Sequence, residues 1–228
     1  MSHAATGRVA AIIPAAGSGV RFGSDTPKAF IELDGISLLT RSALAMSVVA
    51  DVIVVAAPDS YLNLASDLLS SIDAEIHVVA GGSSRQDSVA QALAVLSDDV
   101  TVVLIHDAAR PLVPSRVTHD VVAAIRNGAQ AVIPVLPITD TIKRVDERGS
   151  VIETIDRATL RRVQTPQGFS RESLNTAYAD PTHIATDDAG LLETMGVTVT
   201  TVLGDERSIK ITTPEDFEIA LGFLGEMR

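Results

Sequence analysis

Three short stretches of this chain hold residues of the kinds that handle phosphate. The first is Pro14-Ala15-Ala16-Gly17-Ser18-Gly19-Val20-Arg21-Phe22, with Pro27-Lys28 shortly after it. It follows the apolar run Val9–Ile13, so the glycines fall where a buried parallel strand leaves the carboxyl edge of an α/β sheet. Small side chains with Gly17 and Gly19 let backbone N–H groups approach a polyphosphate, and Arg21 and Lys28 add charge. The joint reading is a nucleoside triphosphate cradle. Lys28 lacks the spacing of a Walker loop, and Phe22 stands where a dinucleotide fingerprint needs its third glycine. The alternative is that the glycines only shape a βα turn while Arg21 is solvated.

The second stretch, His106-Asp107-Ala108-Ala109-Arg110-Pro111, also closes a strand. Asp107 there can hold Mg²⁺ that bridges triphosphate oxygens, and the Arg110 fork suits a second phosphate. The competing reading is a plain Asp107–Arg110 salt bridge at the strand end. His106 is read as structural, since no partner stands at metal-ligand spacing. The third stretch, Gly81-Gly82-Ser83-Ser84-Arg85-Gln86-Asp87-Ser88, follows a strand and opens a helix. Its glycines let a base lie against backbone with Ser88 beside it, or the segment is merely an N-terminal cap with a loop. Lys210, inside the strand-like run Ser208–Thr212, is unusual for a lysine unless it faces an anion.

These stretches need a scaffold, and the spacing predicts one. Strands are expected at Val9–Ile13, Val52–Ala56, Ile76–Val79, Val102–His106 and Ala131–Leu136, with an edge strand over Val197–Leu203. Helices are expected at Leu38–Val49, Tyr61–Leu69, Asp87–Leu96 and Arg116–Arg126. A last helix is announced by Thr213-Pro214-Glu215-Asp216, which places a cap, a proline and acid in order. Strands alternating with helices predict an α/β fold, a Rossmann-like, mostly parallel sheet covered on both faces. The segment from about 138 to 162 breaks this rhythm and reads as a β-hairpin arm turning at Asp146-Glu147-Arg148-Gly149. An isolated hairpin is marginal in water, so it must pack on something. A second subunit is the economical partner, and the chain's own domain is the alternative.

Composition narrows the class. With 228 residues and 46% hydrophobic content, the chain is expected to form a single domain over 1–228 with the arm as its appendage. A net charge of −11 argues against a nucleic-acid surface, so a phosphate site must be local. Without cysteines there are no disulfides or thiolate metal sites. With no long apolar run and no signal peptide read in the sequence, a cytoplasmic protein without a membrane partner is the default expectation.

Taken in order, Pro14 to Arg21, Pro27-Lys28, Gly81-Gly82 to Asp87-Ser88, His106 to Pro111, Asp140-Thr141-Ile142-Lys143, Thr165-Pro166-Gln167 and Ile209-Lys210 resemble the 2-C-methyl-D-erythritol 4-phosphate cytidylyltransferase family. The resemblance implies transfer of a cytidylyl group from CTP to the methylerythritol phosphate, with release of pyrophosphate, in non-mevalonate isoprenoid synthesis. It implies that Arg21 and Lys28 stabilise the transition state and that Arg157 and Lys210 position the attacking phosphate. Ala15, Ala16, Gly17, Gly19, Gly82 and Ser88 then match nucleotide-binding positions, and Asp107, Arg110, Thr141 and Thr165 match the acceptor side or its Mg²⁺. It further implies a homodimer whose arms reach the neighbouring site. The loop Gly204-Asp205-Glu206-Arg207 matches no family signature, and Val20 stands where the family varies.

Three rivals are weighed. A cytidylyltransferase for another polyol phosphate, such as ribitol 5-phosphate, shares most of these motifs. A non-catalytic nucleotide sensor would not need acceptor-side cations as well. A nicotinamide-dependent oxidoreductase is disfavoured by the incomplete glycine fingerprint.

Overall fold

The computed structural model describes residues 7–17, 26–179, 185 and 187–226. Along the chain it contains β1 (Arg8–Pro14), β2 (Glu32–Leu33), β3 (Ile36–Ser37), α1 (Leu38–Ser47), β4 (Val52–Ala57), α2 (Leu62–Leu69), β5 (Glu75–Ala80), α3 (Arg85–Ala94), β6 (Val100–Ile105) and α4 (Ser115–Arg126). There follow β7 (Ala131–Pro137), β8 (Ile142–Val145), β9 (Val151–Ile155), β10 (Arg161–Val163), β11 (Gln167–Ser170), α5 (Arg171–Tyr178), α6 (Asp188–Thr194), β12 (Val199–Leu203) and α7 (Pro214–Glu226).

The sheet has a parallel half in which β6, β1, β4 and β5 lie side by side. Their apolar runs are nearly unbroken because both faces are covered. Val9, Ala11 and Ile13 of β1 enter one core layer with residues of α1, α2 and α4, while Ala10 and Ile12 enter the other with residues of α3, α5 and α6. The second half is mixed. β11 runs antiparallel to both β6 and β7, β10 runs antiparallel to β7, and β12 pairs with β7 in parallel. The expected edge strand is therefore present, as β12. The antiparallel β10 and β11 and the helices α5 and α6 were not foreseen, since short elements of three to eight residues carry little periodic signal.

Two expectations shift. His106 lies one residue beyond β6, which ends at Ile105. The run Ser208–Thr212 is not a strand: Glu206–Ser208 form a single 3₁₀ turn and the rest has no regular secondary structure. Its alternation has another cause. Ile211 is fully buried in a cluster with Leu33, Leu38, Leu112 and Ala220, and Ile209 packs against the same cluster. Lys210, between them, faces the opposite way. Ile211 N–H donates to the Ala109 carbonyl at 2.8 Å, which fastens this segment beside the exit of β6. The expected cap of α7 is also made, with Asp216 N–H donating to Thr213 Oγ1 at 3.3 Å.

The arm turns where expected. Ser150 N–H donates to Asp146 Oδ1, and Gly149 adopts φ 81, a conformation other residues resist. β8 and β9 pair only with each other. Val145, Val151 and Ile152 stand 52%, 62% and 62% exposed, while Ile142 and Ile155 at the base of the arm are half-buried.

Gly168 on β11 sits under α4, where an added Cβ would stand 2.4 Å from Val121 Cγ1. Gly168→Ala is expected to destabilise the fold by about 1–3 kcal/mol, the usual cost of overpacking a filled core, as read by urea unfolding.

Candidate functional site

The carboxyl ends of β1, β5 and β6 open onto a cleft of about 670 Å³. Its walls include Ala15, Ala16, Gly17, Lys28, Gly82, Ser84, Arg85, Ser88, Asp107 and Lys210. Eight of the residues singled out in the sequence thus meet at one edge: Ala15, Ala16, Gly17, Lys28, Gly82, Ser88, Asp107 and Lys210. Gly19 and Arg21 fall outside the described residues.

The wall from Gly81 to Ser88 forms the N-terminal cap that was one reading of its sequence, and Gly82 and Ser88 also line the cleft. Ser84 caps α3 through a capping box, its Oγ accepting from Asp87 N–H at 3.0 Å while Asp87 Oδ2 accepts from Ser84 N–H at 3.1 Å. Ser88 Oγ accepts from Gly82 N–H and donates to the Ser84 carbonyl, which ties the loop to the first turn of the helix. A Cβ on Gly81 would stand 2.2 Å from that of Ala16, so the two loops touch through glycine. The backbone of this wall is thereby fixed before any ligand arrives.

At the cleft floor Asp107 is surrounded by cations. Lys210 Nζ lies 2.8 Å from Oδ2, Arg85 Nε 3.4 Å from Oδ1, and Arg110 Nε 3.8 Å from Oδ2. Burial by itself would raise this carboxyl, but Arg85, Lys210 and Arg110 outweigh it and hold the group far below the ordinary carboxylate range. Asp107 N–H also donates to Thr165 Oγ1 at 3.0 Å. Thr165 therefore supports Asp107 from behind and does not line the cleft.

Arg110 spends its fork differently from the sequence reading. Nη1 donates to the Ser208 carbonyl at 2.6 Å and Nη2 to that of Val163 at 3.3 Å. It lines a neighbouring cavity of about 350 Å³ with Arg162, Glu206, Ile209 and Lys210, so Lys210 borders both spaces. Thr141 and Arg157 line neither cavity of their own chain. Arg157 is exposed, and its Nη1 donates to the Thr139 carbonyl within the arm.

His106 is structural in its contacts: fully buried, with Nε2 paired to the Arg110 carbonyl at 3.1 Å and Nδ1 to Thr165 Oγ1 at 3.1 Å. Arg85 is the cleft residue to which the sequence reading assigned no role. Its loop was noted, but nothing local reveals that Asp107 and Asp188 flank it.

Among the described residues no three His, Asp or Glu side chains converge as a metal-ligand set. Among the described residues, the one acid lining the cleft is Asp107. Mg²⁺ accepts one carboxylate when phosphate oxygens and water complete its shell, so these residues fit a metal carried in with a triphosphate.

Residues 9–226 match the family described as 2-C-methyl-D-erythritol 4-phosphate cytidylyltransferase. The chain belongs to that family. A relative of this name from Rhodococcus jostii is 49% identical over 222 residues, covering 96% of each chain. One from Frankia casuarinae is 48% identical, covering 96% of this chain and 82% of its own length. A crystal structure of 4-diphosphocytidyl-2C-methyl-D-erythritol synthase from Anaerococcus prevotii superposes with a TM-score of 0.82 at 29% identity, covering 96% and 99% of the two chains. The Thermus thermophilus 2-C-methyl-D-erythritol 4-phosphate cytidylyltransferase superposes with a TM-score of 0.77 at 33% identity, covering 95% and 98%.

His106 sets a pH limit on the fold. Burial lowers its pKa from 6.5 to about 4. The unfolded chain takes up a proton as pH falls through about 6.5, while the folded one resists until about 4, so stability is complete above that window and is lost within it. From pH 7 to pH 5 this group should remove about 2 kcal/mol. Urea unfolding of the parent and His106→Gln should show a variant weaker at pH 7 with a correspondingly smaller loss at pH 5.

Proposed function

We infer that this chain transfers the cytidylyl group of CTP to 2-C-methyl-D-erythritol 4-phosphate, giving the CDP-linked product and pyrophosphate, a step of non-mevalonate isoprenoid synthesis. The observation that carries this reading is the family's motifs meeting in one cleft, where the β1 loop, Lys28, Gly82, Asp107 and Lys210 stand together. Family membership favours this acceptor over ribitol 5-phosphate, and a transferase over a sensor or an oxidoreductase.

The chemistry needs little covalent help from protein. An oxygen of the acceptor phosphate forms a bond to the α-phosphorus of CTP, and the bond from that phosphorus to the β-phosphate bridging oxygen breaks, so pyrophosphate leaves with the electron pair. No proton has to move at the attacking dianion. Catalysis is positioning and electrostatics. In this reading the nucleotide lies against the small residues Ala15–Gly17 and the wall at Gly82, which Ser88 keeps in shape. Lys28, with Arg21, stabilises the charge that builds on the α-phosphate. Lys210, once released from Asp107, meets the incoming phosphate. Asp107 would hold Mg²⁺, which when bound offsets triphosphate charge.

The arm completes the site across a homodimer, in this reading. Its exposed Val145, Val151 and Ile152 call for a cover, and Arg157 and Thr141 do not line the cleft of their own chain. Supplied by a second copy, they would bind the acceptor phosphate beside Lys210. No helix among the described residues is long and apolar enough to cross a membrane, and a cytoplasmic location is proposed with the pathway.

Pyrophosphate release from CTP and Mg²⁺ with either acceptor tests the assignment. Lys28→Ala should lower kcat by ~10²–10³ with a smaller change in the CTP KM, because its charge matters most in the transition state. Parent-like kcat with lost affinity would reassign Lys28 to ground-state binding. Mixing Arg157→Ala chains with Lys28→Ala chains should restore about a quarter of the sites once subunits exchange, since one site of each heterodimer is then intact. A mixture that exchanges yet stays inactive would place Arg157 in its own subunit's site.

A further inference from the structure

Behind the cleft wall, two residues with no part in the reaction above form a buried anchor for Arg85. Asp188, 1% exposed at the start of α6, has Oδ2 2.7 Å from Arg85 Nη1. Tyr178, at the end of α5, donates its hydroxyl to Asp188 Oδ1 at 2.6 Å. Neither lines the cleft, whereas Arg85 does. The charges therefore alternate from one contact to the next: Asp188, Arg85, Asp107, Lys210.

We propose that Asp188 and Tyr178 are positioning residues for nucleotide binding, which hold the Arg85 guanidinium so that its contact with Asp107 Oδ1 stays long and yields readily to the nucleotide and its metal. The proposal rests on the cleft being the CTP site. Arg85 is shared unequally, at 2.7 Å from the buried acid and 3.4 Å from the one on the cleft floor. Attraction rises as distance and local dielectric fall, so the deeper, closer carboxylate holds the guanidinium. Arg85 Nε then reaches Asp107 Oδ1 only through a long hydrogen bond of 3.4 Å, and the close pair on Asp107 is the one that Lys210 makes at Oδ2. The Tyr178 hydrogen bond fixes the direction of the anchoring carboxylate. With Asp188 neutral, the nearest remaining anion is Asp107, and Arg85 would close on Oδ1 while Lys210 already covers Oδ2. A nucleotide would then have to break a tighter pair before using Asp107.

The test is CTP affinity by calorimetry with Mg²⁺ present, alongside steady-state kinetics and thermal unfolding. Asp188→Asn should weaken CTP binding about tenfold, the scale of one charge-assisted contact, and raise KM more than it lowers kcat. Tyr178→Phe should weaken binding in the same direction by less. In an Arg85→Gln background both effects should vanish, because the anchor acts through Arg85. Parent-like affinity in Asp188→Asn, or a loss that persists without Arg85, overturns the proposal. If Asp188→Asn does not fold, Tyr178→Phe with and without Arg85 decides alone. Pyrophosphate release by the parent reports on the functional reading separately: an active parent with unmoved variant affinities overturns only the positioning role.

Discussion

Asp107 stands at the carboxyl end of β6 with 12% of its side chain exposed, and a charge so placed costs several kcal/mol unless cations and hydrogen bonds surround it. The partners that satisfy it come from separated parts of the chain. Arg85 opens α3, Thr165 precedes β11, and Lys210 arrives after β12. Arg85 and Lys210 are drawn to the edge of the sheet partly by that one carboxylate, whereas Thr165 is tied to the same residue through its backbone N–H. The site and the antiparallel half of the fold are therefore linked through a hydrogen bond as well as packing.

The rest of the cleft is built from backbone. Gly81 and Ala16 approach so closely that a methyl group would not fit between them, and Ser84, Asp87 and Ser88 lock the adjoining loop through the capping of α3. A main-chain wall held in this way loses little conformational freedom when a ligand binds. Around it the cleft is cationic although the chain carries a net charge of −11. Local arrangement, not overall charge, sets what such a site attracts.

The arm obeys a different logic. Its turn is specified within five residues, yet β8 and β9 meet no other element, and apolar side chains on both strands stay open to solvent. Two strands alone bury too little to be stable. The polar Arg144–Glu153 pair at 3.0 Å is exposed and adds little, so covering the arm's apolar residues is the larger remaining source of stability.

By itself the sequence determined the parallel half of the sheet, the principal helices, the arm and its turn, and the motifs that identify the cleft. Those features rest on local rules: unbroken apolar runs for strands covered on both faces, helical periodicity, capping residues and glycines at close approaches. Tertiary structure decided what depends on residues distant in the chain. It made Lys210 a partner of Asp107 on chain of no regular secondary structure and not on a strand, turned the Arg110 fork onto the Ser208 and Val163 carbonyls, and put Thr165 behind the cleft. It also joined Arg85 to Asp188 and Tyr178, whose local sequence holds no sign of that meeting. Charges pair through space, and no local spacing rule encodes a contact closed by a hundred residues of intervening fold.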